Sequence, residues 1–251
     1  MNMNIDNLLE VENLNTYYLE ENGMFSGRKR KKQICKEISF AIKKGEILGL
    51  LGESGSGKTT LVKAILGITK DYTGDIRLNC KNPQMIFQDP YSSLNPSKKV
   101  LWTLEEPLRI QGGISKEEIQ NKAYEMLEKV GLDRKIATRY PSQLSGGQRQ
   151  RVCIAEALML DPQLLIADEP VSALDVTIQA QIIRLLLTLH RDMNLSILFI
   201  SHDLRVIYQM CDRAMVMQDG RIVEEGQIPQ LYENPGSPYT RQLIEAAGIF
   251  E

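Results

Sequence analysis

The octapeptide "GESGSGKT" (52–59) fits the pattern G-x-x-x-x-G-K-[ST] and lies between an apolar run, "EILGLL" (46–51), and a helical stretch, "TTLVKAILG" (59–67). Its glycines let the backbone wrap phosphates with N–H groups. Lys58 can reach the β- and γ-phosphates as a point charge, and the Thr59 hydroxyl can coordinate Mg²⁺. Gly52, Glu53, Ser54, Gly55, Ser56, Gly57, Lys58, Thr59 and Thr60 are the expected cradle. An ordinary glycine turn is the bland alternative, and the strand–loop–helix context argues against it.

Four further residues suit the same chemistry. "LLIADEP" (164–170) is a buried-strand pattern that ends in Asp168, at the strand end where ligands gather in an open α/β sheet. Asp168 would hold Mg²⁺ through water, and Glu169 would accept a hydrogen bond from the attacking water as general base. A solvated acidic turn is the alternative. His202, in "FISHDL", follows the strand-like "SILFI" and could contact the γ-phosphate; a structural histidine is the alternative. Gln88, in "MIFQDPYSSLNP", ends another short apolar run, and its amide can reach Mg²⁺. His190 closes a helical stretch and reads as structural.

A second anion site is written in "QLSGGQRQRV" (143–152). Ser145, Gly146 and Gly147 leave bare N–H groups at a helix start, an arrangement suited to an anion.

The elements that must position these residues follow from periodicity. "EILGLL", "QMIF" (84–87), "LLIAD" (164–168), "SILFI" (196–200) and "RAMVM" (213–217) read as buried strands, four of them leading into helical patterns. That alternation predicts an α/β protein with a largely parallel sheet. Apolar residues at 178, 182, 185, 186 and 189 mark one helix face, and Ile119, Ala123, Met126, Leu127 and Val130 mark another. The first forty-odd residues read as an antiparallel β layer, with "NLNTYYLEENG" and "QICKEISFAI" as strands, and "GDIRLN" (74–79) as another hairpin. The stretch from Pro96 to Pro141 is helix-rich and reads as an inserted subdomain.

The bulk numbers set outer limits. The chain has 251 residues, 43% apolar and 25% charged, as in ordinary soluble domains. A formal charge of -2 gives no general attraction to nucleic acid or anionic lipid. The longest uncharged apolar stretches, such as "LSILFI", are too short to cross a bilayer. The start, "MNMNIDNLLEVENL", does not read as a signal peptide. Four cysteines without CxxC spacing predict reduced thiols and no metal cluster.

Taken in order, the motifs resemble the nucleotide-binding subunit of ATP-binding cassette (ABC) transporters. The matching elements are "GESGSGKT", Gln88, "LSGGQ" (144–148), "LLIADEP", "SALD" (172–175) and His202. The resemblance implies a P-loop, RecA-like core at 1–95 and 156–251, carrying the antiparallel layer, and a helical subdomain with the signature at 96–155. It implies ATP and Mg²⁺ as ligands, with Thr59, Gln88 and Asp168 at the metal. It adds Gln148 and Asp175 to the nucleotide contacts and maps the adenine-stacking aromatic to Tyr18, with Tyr17 as the alternative. The Ser145–Gly147 helix start would then cap the γ-phosphate of ATP held by a second ATPase subunit, identical or homologous, in a head-to-tail dimer.

"FQDPYSSLNP" and "ENPGSPYTRQLIEAA" (233–247) are similar to the oligopeptide, dipeptide and nickel branch of importers. That likeness implies two transmembrane permease subunits, an extracellular or periplasmic substrate-binding protein, no nucleic acid, and a peripheral place on the cytoplasmic face of the membrane. An exporter or lipoprotein-release ATPase shares the catalytic motifs, and a soluble ABC ATPase of translation or repair is the more distant alternative. Three departures stand out. The stretch between "GDIRLN" and "QMIF" is short, the chain stops soon after "SPYT", which leans towards nickel or metallophore subunits, and Glu156 stands where the family more commonly has arginine. "RKRKK" (28–32) reads as an exposed hairpin loop rather than a nucleic-acid or lipid patch. Trp102 is either a docking aromatic or local core.

Overall fold

The computed structural model describes residues 7–20 and 30–248. In chain order its elements begin with β1 (Asn7–Glu20), β2 (Arg30–Lys43), β3 (Ile47–Leu51), α1 (Lys58–Ile65), β4 (Tyr72–Leu78) and β5 (Gln84–Ile86). Helices α2 (Pro90–Ser93), α3 (Val100–Gln111), α4 (Lys116–Lys129) and α5 (Gly146–Leu158) follow, with short 3₁₀ turns before α5. Then come β6 (Leu164–Asp168), α6 (Val176–Met193), β7 (Ser196–Ser201), α7 (Leu204–Met210), β8 (Arg213–Gln218), β9 (Arg221–Gln227), α8 (Ile228–Glu233) and α9 (Pro238–Ala247). The chain divides into two compact units, Met1–Cys80 with Ser196–Glu251, and Lys81–Leu195.

In the first unit, β3 is parallel to β7 on one side and to β8 on the other, and β9 closes the edge antiparallel to β8. Every residue of β3 and β7 is buried. That is why both read as unbroken apolar runs rather than alternating ones. The antiparallel layer is β2–β1–β4. Alternate β1 side chains, Leu9 and Val11 among them, are buried, as a sheet with one covered face requires. The fold is the expected α/β class, mostly parallel strands plus an antiparallel layer.

One element differs from the sequence reading. "GDIRLN" does not form a hairpin of its own: it belongs to β4, which pairs with β1 through Val11↔Ile76 and Thr16↔Tyr72. β1 is long enough to offer one edge to β2 and the other to β4, so the pairing partner lies far back in sequence. Four of the five strand runs lead into helices, as expected; the fifth, "RAMVM", leads to β9 across a turn at Asp219 and Gly220, both at positive φ (49° and 80°). That geometry is the two-residue hairpin turn which Asp-Gly favours.

The second unit pairs β5 with β6 in parallel and surrounds them with helices. α4 begins with a capping box, in which Ser115 accepts from the Glu118 N–H and the Glu118 carboxylate accepts from the Ser115 N–H. Its buried face is Ile119, Ala123, Met126 and Leu127, the stripe that the helical period predicts. α6 buries Ile182, Ile183, Leu186 and Leu189 in the same way. No helix among the described residues is long and apolar enough to cross a membrane.

Candidate active site

In the first unit the phosphate loop leaves the buried strand β3 and enters α1 through Gly57, whose φ is 111°. No side chain caps this helix start. Its first N–H groups are left for an anion by helix geometry. Lys58 is almost fully buried, and its ammonium donates to the carbonyls of Gly52 at 2.6 Å and Glu53 at 2.9 Å. The Ser56 N–H also donates to the Glu53 carbonyl, at 3.2 Å. The buried Ser56 hydroxyl has no hydrogen-bond partner among the described residues, which leaves a polar group open to a ligand beside the loop.

The β3–β7 register pairs Leu51 with Ser201. Gly52 and His202 therefore emerge side by side at the carboxyl edge of adjacent strands. His202 is exposed, and the turn that carries it is held by Ser201, whose hydroxyl accepts from the Asp203 N–H at 2.9 Å. Asp203 caps α7.

The second unit repeats this logic. Ile86 pairs with Ala167, so Gln88 and the Asp168–Glu169 pair leave the same edge together. The Gln88 amide donates to the Glu169 carboxylate at 3.0 Å. Asp168 is buried, whereas Glu169 is part-exposed and has a φ of 47°. A non-glycine residue held in that region costs about 1–3 kcal/mol and is typical of functional turns. The Ser172 hydroxyl and N–H both donate to the Glu169 carbonyl, which fixes the turn.

Ser145 is the exposed N-cap of α5 and forms a capping box with Gln148. The box uses the N–H groups of Ser145 and Gln148, so the anion-facing amides are those of Gly146 and Gly147. Gly147 has a second reason to be glycine: a Cβ there would lie 2.7 Å from Ile178 Cγ2 on α6. Asp175 is the N-cap of α6 and accepts from the Ile178 N–H at 3.0 Å.

On β1, Tyr18 is 63% exposed, while Tyr17 is part-buried with the Lys31 ammonium 5.8 Å from its ring centre. Of the basic run, Arg28 and Lys29 lie outside the described residues. Trp102 is flanked by Lys98 at 4.5 Å and Arg109 at 4.8 Å from its ring. His190 bonds the Leu195 carbonyl through Nδ1 at 2.6 Å, a contact that ends its helix.

Sequence reading missed one residue that touches the phosphate loop. The Gly220 N–H donates to the Ser56 carbonyl at 3.0 Å, and a Cβ on Gly220 would meet the Ile34 carbonyl at 1.8 Å. The Asp-Gly pair was the available signal.

The ABC transporter family model matches residues 35–172, more than half the chain. The chain belongs to the ABC transporter family. This ABC protein is 43% identical to the dipeptide transport ATP-binding protein DppF of Escherichia coli K12, over 95% of the chain and 76% of that relative. It is also 43% identical to the glutathione import ATP-binding protein GsiA of Escherichia coli O6:H1, over 97% of the chain but only 42% of that longer relative. Among solved structures it resembles a dimeric post-hydrolysis state of the ATP-binding cassette MJ0796 bound to ADP and phosphate. That likeness has a TM-score of 0.74 at 28% identity, covering 88% of this chain and 98% of that one. The chain is therefore an ABC ATPase, which binds and hydrolyses ATP.

Proposed function

We propose that this chain energises the import of short peptides, as the ATPase subunit of a membrane-bound importer. The observation that carries this reading is the 43% identity to a dipeptide transport ATP-binding protein, extending over 95% of the chain. The chain works as one of two ATPase subunits, identical or homologous, arranged head to tail. They attach to two permease subunits at the cytoplasmic face of the membrane, and a binding protein outside delivers the cargo.

In this reading Lys58 and the loop amides hold the β- and γ-phosphates, and Glu169 draws the proton of the attacking water. His202 orients that water, and Tyr18 stacks on adenine. Ser145, Gly146, Gly147 and Gln148 face the γ-phosphate held by the partner subunit, with Asp175 nearby in the dimer. Mg²⁺ is the metal that the donors suit: a Thr59 hydroxyl, the Asp168 carboxylate and the Gln88 amide are hard oxygen ligands. Among the described residues no group of three or more His, Cys, Asp or Glu is built to hold a metal. That is compatible with an ion held largely through substrate phosphates. When bound, Mg²⁺ would neutralise phosphate charge.

The test is co-purification from the native membrane, followed by ATPase assays with the cognate binding protein. Two membrane subunits and stimulation by peptide-loaded binding protein are expected. Stimulation by nickel or a metal chelate instead would move the cargo to that class, and absence of membrane subunits would overturn the importer reading.

A further inference from the structure

The turn between β8 and β9 packs on the phosphate loop through contacts that lie wholly within the first unit. Gly220 uses both of its backbone groups there. Its N–H donates to the Ser56 carbonyl at 3.0 Å, and its carbonyl accepts from the Lys36 N–H of β2 at 2.7 Å. The φ of 80° and the Ile34 carbonyl, 1.8 Å from where a Cβ would stand, leave no room for another residue. Met217, near the end of β8, closes the same seam. Its carbonyl oxygen would lie 2.4 Å from a Cβ on Gly52, and its methyl 3.0 Å from one on Gly57. One hairpin thus backs the loop at both ends.

The Ser56–Gly57 peptide is planar and trans, so its carbonyl and its N–H point in opposite directions. With the carbonyl committed to Gly220, the Gly57 N–H faces away from the hairpin. The next carbonyl, that of Gly57, is committed as well. It accepts from the Leu61 N–H at 2.9 Å and has the Cys35 thiol 3.8 Å away. Cys35 is itself fixed, because its N–H donates to the buried Thr16 hydroxyl at 3.0 Å. A flip of the Ser56–Gly57 peptide would break the Gly220 bond and turn a carbonyl, in place of a donor, towards an anion in the loop.

We propose that Gly220 is a positioning residue for ATP binding: by holding the Ser56 carbonyl from behind, it turns the Gly57 N–H of the phosphate loop towards the phosphates. This rests on the loop being the ATP site. A misplaced N–H is felt by the anion and not by the base. Its loss must therefore weaken ATP and a base-free polyphosphate alike.

The experiment titrates the full chain with a fluorescent ATP analogue and Mg²⁺, then displaces it with ATP or with inorganic tripolyphosphate, alongside ligand-free melting. Gly220→Ala sets a Cβ against the Ile34 carbonyl and pushes the turn off the loop. It is expected to raise Kd for both competitors by the same factor, about three- to tenfold, the scale of one hydrogen bond. Gly74→Ala is the comparison. That glycine also has a positive φ, 101°, and its Cβ would meet the Asn13 carbonyl at 2.5 Å, but on the seam between β1 and β4. The variant should lower the melting temperature and leave both affinities alone. Hydrogen exchange on the wild-type chain gives a second reading that needs no variant to fold. The Gly220 amide should exchange slowly, and more slowly still with ATP bound. The proposal is overturned if Gly220→Ala binds like wild type, if it weakens ATP but not tripolyphosphate, or if Gly74→Ala weakens binding equally. An unprotected Gly220 amide in the ATP-bound chain would overturn it too. A wild-type chain that fails to bind the analogue would instead remove the ATP-site reading itself.

Discussion

Gln88 and Glu169 are joined by a hydrogen bond of 3.0 Å, amide to carboxylate, between residues that leave the ends of two parallel strands. The side chain proposed as general base is thus held by the side chain proposed to sense the metal.

Glu169→Gln should abolish turnover while ATP still binds. The expected fall in kcat is about 10²–10⁴-fold, the usual contribution of a general base. Single-turnover hydrolysis and nucleotide binding, measured on the same preparation, check it. Turnover at the wild-type rate would remove Glu169 from that role.

Ser145→Arg should leave ATP binding in its own loop intact and cripple hydrolysis in the opposite site. The arginine removes the Ser145 half of the capping box and places a bulky cation at an exposed helix start. Mixed dimers carrying one mutant subunit would read the effect. Full activity in both sites would leave the dimer without this reason to form.

Gly147→Ala should destabilise the protein by about 1–3 kcal/mol through overpacking. The new Cβ would lie 2.7 Å from Ile178 Cγ2. Ile178→Ala, which removes that methyl, should restore part of the loss in the double variant. Chemical denaturation of the four proteins gives the coupling directly, and strict additivity would contradict the contact.

Glu156 makes stability depend on pH. Burial, and then the nearby Glu106 carboxylate, push its pKa up to about 7 from an ordinary 4.5. Between those values the folded protein keeps a proton that the unfolded chain has lost, so this group's contribution to stability falls as pH rises from about 4.5 to about 7. Glu156→Gln should therefore raise the melting temperature at pH 8 by a few degrees, equivalent to about 1–3 kcal/mol. Below about pH 4.5 it should change little. Equal shifts at both pH values would show that charge is not the cause.

The local parts of the site were legible in the sequence because each is built from backbone geometry next to its own motif. The glycines and lysine of "GESGSGKT", the carboxylates ending "LLIAD" and the serine before two glycines all declare a strand end or helix start by themselves. The β4 pairing was not legible, since an alternating run does not say which distant edge it joins. Nor was the role of Gly220 against Ile34, because a glycine in a turn looks the same whether or not another backbone passes over it.

By itself the sequence determined the class of chemistry, the strand ends that carry it and the family, through residue types at fixed short spacings. Tertiary structure alone decided which side chains hold those parts in place. Gln88 meets Glu169 because β5 and β6 run in register, and Gly147 must be bare because Ile178 crosses it. Each such contact joins residues far apart in the chain. It depends on register and packing direction, which no short stretch of sequence encodes.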